Sequence, residues 1–269
     1  MSRSCSPFVV SASLVVVFTM GLSAQNGERL GDKDVAKIFE SVDNGRDRFE
    51  DQLDGKLKRS IVRGPGGEVD VENYLDDLQK NVDNLRERFT GKYAASNEAA
   101  TVLKQASQIH HFMKSQPADL KGSSEWDRLV IDLSRLAEAY GTVFPLPEDA
   151  AVRRINDGEA ASTAELIAKN ADQLKQAIGG DKTMAKADRN ALKSDLDQLK
   201  KQASVVKSRT LGGKPATAEA RQVRETVGRV GGALSGRKLT ANAREAWENI
   251  ERSLLKIDQA YRLTPPGTW

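Results

Sequence analysis

Residues 108–114 read QIHHFMK and hold both histidines of the chain, His110 and His111, with Met113 close behind. Imidazole and thioether both suit copper, so these three are the side chains to weigh as a metal site. Neighbouring residues on a helix point about 100° apart, which keeps the two imidazoles from converging easily on one ion. Covalent haem attachment needs Cys-x-x-Cys-His, which is absent, and a di-iron carboxylate site needs Glu-x-x-His, where Ser107 and Gln108 stand instead. No H-E-x-x-H, P-loop or dinucleotide fingerprint occurs. The pair Gly231-Gly232 lies inside a helical pattern rather than after a strand, so it cradles no phosphate. Carboxylate pairs such as Asp76-Asp77 and Glu50-Asp51 sit on strongly charged stretches, where they are solvated rather than tuned for acid–base work. The expectation is a non-enzymatic protein with no catalytic residue, no cofactor and no resident metal. The alternative is a small-ligand or metal carrier, for copper or haem, using His110, His111 and Met113.

Charge is the second source of chemistry. The chain carries a formal +3, which hides an uneven split. Residues 25–150 hold 18 Lys+Arg against 24 Asp+Glu, a net of −6, and residues 151–269 hold 22 against 14, a net of +8. Such asymmetry speaks to association rather than fold. The cations that could form a docking surface for an anionic partner are Lys200, Lys201, Lys207, Arg209, Lys214, Arg221, Arg224, Arg229, Arg237 and Lys238. The partner would be an acidic glycan, a lipid head group or an acidic protein. Two other readings stand beside this one: the oppositely charged halves meet each other, within a chain or between chains, or the charges only keep two surfaces solvated. The lack of a recognisable binding motif argues against nucleic acid. A smaller basic stretch, Lys56, Lys58, Arg59 and Arg63 among Leu57, Ile61 and Val62, has the pattern of a membrane-surface segment. It reads better as the last turns of a long helix that caps one end of the fold.

The first residues form a separate feature. Arg3 is the only charge before Glu28, Phe8 to Leu22 are apolar or small, and small residues lead to Ala24. This is the pattern of an export signal over residues 1–24, cleaved near Ser23 or Ala24. The run is shorter than the roughly 20 residues of a membrane-spanning helix. The single cysteine, Cys5, precedes the apolar run. A secreted or periplasmic mature chain would therefore hold no cysteine and rely on packing alone for stability.

The elements that position these groups repeat. Trp126, Leu129, Leu133, Leu136 and Tyr140 match Trp247, Ile250, Leu254, Ile257 and Tyr261, 121 residues on. The 3, 4, 3, 4 spacing is one face of an amphipathic helix. The two preceding seams, Val71 to Leu85 and Ala99 to Met113, recur at the same offset as Leu192 to Val206 and Ala220 to Leu234. Ile38, Val42, Gly45 and Phe49 align with Ile167, Ala171, Leu174 and Ile178 at an offset of 129, which places about eight extra residues in KLKRSIVRGPGGEVD. Asp70 is the expected N-cap of the next helix, and Ser162 with Glu165 the capping box opening the second half.

Four helices with one apolar seam each bury those seams as an up-down bundle. The expected fold is all-α: a signal peptide, an acidic four-helix bundle over 25–147, a linker over 148–161, and a basic four-helix bundle over 162–269, from an internal duplication. In each bundle the Trp and Tyr of the last helix, Trp126 with Leu133 and Tyr140, and Trp247 with Leu254 and Tyr261, are expected to pack in the core, with the indole N–H or hydroxyl reaching its edge. The expected role is a secreted or periplasmic binding or scaffold protein that uses charged helix faces.

Overall fold

A computed structural model describes residues 28–64, 67–116, 120–180 and 184–263. The leader-like residues 1–24, with Cys5, lie outside the described residues. The fold is all-α, with nine helices and one short hairpin among the described residues. No helix of the described residues is long and apolar enough to cross a membrane.

Helix α1 spans Asp32–Gln52, and the expected long helix stops there. Asp54 caps a single-turn helix α2, Gly55–Lys58, accepting from the backbone N–H groups of Lys56 and Leu57. Strand β1, Ile61–Gly64, then pairs antiparallel with β2, Gly67–Asp70, in the register Ile61 opposite Asp70 and Gly64 opposite Gly67. The expectation that this basic stretch ends a long helix is therefore corrected. A β-branched pair on one side, Val69 on the other and glycines between them favour a hairpin over continued helix. Leu57 packs on the core.

Asp70 caps α3, Val71–Arg88, through the Asn73 N–H, as its position suggested. Helices α4, Ser96–Ser115, and α5, Ser123–Ala139, follow. Each lies against two others of the set α1, α3, α4 and α5, closing a ring around one core. That core holds Phe39, Phe49, Leu75, Leu85, Leu103, Trp126, Leu133 and Tyr140. A second ring, α6 (Asp157–Gly179), α7 (Lys186–Leu211), α8 (Thr217–Leu234) and α9 (Ala241–Tyr261), surrounds its own core.

Two details differ from expectation. Helix α6 opens at Asp157, not at Ser162: Asn156 is its N-cap, accepting from the Glu159 N–H. The buried set of α1, Val35, Phe39, Val42, Gly45, Arg46, Phe49 and Leu53, coincides position by position with Ala160, Ala164, Ile167, Asn170, Ala171, Leu174 and Ile178. The offset is 125, so the alignment at 129 was one helical turn out of register. A seam spaced 4, 3, 4 matches itself almost as well after a slip of one turn, and only burial distinguishes the two.

Helix α9 is also rotated from its expected face. Ala246 and Ser253 are buried while Trp247 and Leu254 sit half-buried at the rim of the core. The reason lies in α6, whose buried face carries Ala160, Ala161, Ala164 and Ala171. Side chains ending at Cβ let the neighbouring backbones come close, and small residues of α9 then fill the seam.

Residues 141–156 connect the rings by folding back along the first. The Leu146 N–H donates to Ser107 Oγ at 2.7 Å and the Arg153 N–H to the Tyr140 carbonyl at 3.0 Å. Phe144, Leu146 and Val152 rest on the first core.

Candidate functional site

The histidine pair divides its tasks. Trp126 Nε1 donates to His110 Nδ1 at 3.3 Å, and the His110 ring meets Phe144 edge-on with centroids 5.5 Å apart. His111 is exposed, and Met113 is buried in the core. The three groups thus point to three surroundings, and among the described residues no group of three His, Cys, Asp or Glu is placed to hold a metal ion. Burial holds the His110 imidazole below its usual range, with Lys114 adding to the effect. That favours the neutral ring whose lone pair accepts the indole N–H. In the second half Gly231 stands where His110 does in the first. A Cβ there would lie 3.1 Å from the Trp247 ring, so the ring occupies the space an imidazole would need.

The ten candidate cations do not form one uniform field. Lys200 pairs with Asp172 at 2.7 Å, Lys207 with Glu165 at 2.8 Å, Arg209 with Glu219 at 3.3 Å, Arg229 with Asp195 at 3.3 Å and Arg237 with Asp188 at 3.1 Å. Arg224 lies 3.8 Å from the buried Asp258. Lys201, Lys214, Arg221 and Lys238 are exposed and make no ion pair with a described residue.

The most elaborate polar cluster was not singled out from the sequence. It lies where the N-termini of α1 and α6 meet, and its bonds come in matched pairs. The Asp32 N–H donates to Asp157 Oδ2 at 2.9 Å, and the Asp157 N–H donates to Asp32 Oδ2 at 2.8 Å. Arg29 donates to Asp157 Oδ1 and to the Ile155 carbonyl at 2.8 Å. Arg154 donates to Asp32 Oδ1 at 2.7 Å and to the Leu30 carbonyl at 2.8 Å. The Arg154 N–H reaches Ser96 Oγ at 3.2 Å, and the Arg29 N–H reaches Thr217 Oγ1 at a long 3.5 Å. Each aspartate therefore caps the helix opposite its own, where the positive end of the helix dipole favours it.

The two tyrosines expected in the core complete this arrangement. Tyr140 is fully buried and donates to the Ala94 carbonyl at 2.7 Å; Tyr261 is 2% exposed, bonds Thr210, and offers its ring to Arg29 at 5.6 Å. Both hydroxyls are pushed above the usual tyrosine range, chiefly by burial. Behind each tyrosine an ion pair recurs, Arg88 with Glu98 at 2.7 Å and Arg209 with Glu219 at 3.3 Å. Burial, with Arg29 nearby, pulls the Arg154 guanidinium below the usual arginine range. Arg262 joins from the end of α9, 3.7 Å from Glu138 of the first half.

The signal for this cluster was present: residues 29–32 read RLGD and 154–157 read RIND, 125 positions apart. Neither helix offset, 121 or 129, brings the two motifs together. A cavity of about 110 Å³ lies beside Arg29, between residues 28–31 and the turn before α8. No protein-family model, curated protein or solved structure matches this chain.

Proposed function

We propose that the chain is an exported, non-enzymatic scaffold of two four-helix up-down bundles, descended from an internal duplication, that binds an anionic partner through the basic second bundle. The bundles are residues 25–147 and 162–269, with the first turn of α6, Asp157–Ala161, added to the second. Duplication is supported by contacts that recur at fixed offsets, above all the mirrored Arg29–Asp157 and Arg154–Asp32 pairs. Export is proposed on residues 1–24 alone.

One observation carries the binding role: the halves meet at helix N-termini, and among the described residues no helix of one packs lengthwise on a helix of the other. Apart from the pairs at the joint, Arg29–Asp157, Arg154–Asp32 and Arg262–Glu138, the opposite charges of the described residues are therefore not set against each other within a chain. Lys201, Lys214, Arg221 and Lys238 offer charge that no ion pair with a described residue offsets, and a long-range field of one sign steers and holds an oppositely charged partner.

The test measures full-length protein against heparin, phosphatidylglycerol vesicles and polyglutamate, alongside a variant with those four cations changed to Glu. Binding to at least one probe is expected at about 0.05 M salt, with loss at about 0.5 M, where screening falls to a few ångström. The variant should bind about tenfold or more weakly, since each surface cation contributes about 1 kcal/mol toward an anionic surface. If wild type and variant bind all three probes equally, or not at all, the reading is rejected.

A further inference from the structure

We infer that the slot of the second half that holds Arg29 is a receptor for an arginine-bearing extended segment, occupied in cis by residues 28–31 and fitted to the same segment of a second copy. The inference is independent of the basic-face reading.

Both halves build the slot from the same parts: a buried tyrosine on the last helix, a hydroxyl on the first residue of the third, and an arginine delivered by a segment outside the ring. Arg154 fills the first slot tightly. Its side chain is 4% exposed and reaches the Ala139 and Leu30 carbonyls and Asp32. The chain beside it is closed down as well, because a Cβ on Gly158 would stand 2.4 Å from the Gly91 carbonyl oxygen.

The second slot is read by the same chemistry and buries its arginine nearly as well, the Arg29 side chain being 7% exposed, but it leaves space beside it. Arg29 finds the Tyr261 face, Asp157, the Ile155 carbonyl and Thr217, yet the cavity of about 110 Å³ remains at its side. A Cβ on Gly31 would meet only the carboxylates of Asp157 and Asp34, at 3.5 and 3.9 Å. Lys214 borders this space and has no ion pair with a described residue. What the slot recognises is a planar two-pronged cation and a backbone N–H, which an arginine-bearing extended segment supplies whether or not it is tethered; the carboxylate that caps α6 is Asp32, held in place by Arg154. A cis tether supplies its segment at an effective concentration of order millimolar, which masks the site from weaker occupants in trans.

The experiment uses the full chain and a fluorescein-labelled peptide of residues 25–34. Anisotropy titration is expected to show the peptide binding the Arg29→Ala variant about tenfold or more tightly than wild type, since the variant no longer competes in cis. The same peptide with its arginine replaced by alanine, or with its residues scrambled, should bind neither protein. Should Arg29→Ala lose its helical circular dichroism, Arg29→Lys, which keeps the charge but not the fork, is expected to move in the same direction. A folded variant that takes the peptide no better than wild type, or that takes the scrambled peptide equally well, overturns the inference.

Discussion

At the scale of single residues, His110 shows how a side chain suited to metal binding becomes a packing group. Its imidazole is held neutral by burial and accepts the Trp126 indole N–H. The sign follows from linkage: a base with a depressed folded pKa gives stability that is complete above its ordinary value, about 6.5, and is lost as pH falls through the folded value. Thermal unfolding of wild type is therefore expected to weaken more between about pH 7.5 and pH 5 than that of His110→Phe. At the upper pH the variant should be less stable by about 1 kcal/mol, the cost of a buried indole N–H left without an acceptor. Equal pH slopes in the two proteins would show that His110 contributes no such term. The chain spells out this residue and its neighbours but not its partner: Trp126 stands 16 positions away on the next helix, and only packing orients the two rings.

At the scale of elements, glycine positions separate helix propensity from packing. Gly228 and Gly232 lie on the exposed face of α8, and a Cβ at either would meet nothing within 4 Å. Replacing either with alanine should raise stability by about 0.5–1 kcal/mol, because alanine loses less backbone freedom on forming helix. Gly158, on the first turn of α6, is the opposite case, since the Gly91 carbonyl already occupies the space. Gly158→Ala is expected to cost about 1–3 kcal/mol through forced displacement, measured by chemical denaturation. A propensity scale ranks all three alike, so a stabilised Gly158→Ala would mean that the α6 N-terminus and the 90–93 turn are not in contact. The seams of α3, α4 and α5 are largely legible because each has one apolar stripe turned to a single core, though Leu103 joins it and Val71 lies at its edge. The seam of α9 is not legible, because the alanines of α6 decide how close the two helices come.

At the scale of the whole molecule, the joint is a pair of interlocked ion pairs. Removing one partner of a buried pair leaves the other charged and desolvated. Arg154→Ala, which strands Asp32, is therefore expected to destabilise by about 3–5 kcal/mol and to raise the radius of gyration in solution scattering as the halves lose their fixed relation. Its helical circular dichroism at low temperature should stay unchanged, because each core is complete without the joint. Lys80→Ala, which removes an exposed pair with Asp77, serves as the contrast and should shift stability by less than about 0.5 kcal/mol. Unchanged scattering in a folded Arg154→Ala would show that other contacts fix the halves.

The helical class, most of the seams and the recurrence between halves follow from the chain alone, because each is encoded in the local period of apolar residues. The sequence did not determine the hairpin at 61–70, where a few β-branched residues and glycines compete with helix over too short a span. Nor did it determine the true register of α1 against α6, since a slip of one turn preserves an amphipathic pattern. The joint was decided by tertiary structure alone. Arg29, Asp32, Arg154 and Asp157 sit at helix starts with no apolar period to betray them, and they acquire meaning only when two distant N-termini are brought face to face and each aspartate finds the other helix's free N–H groups.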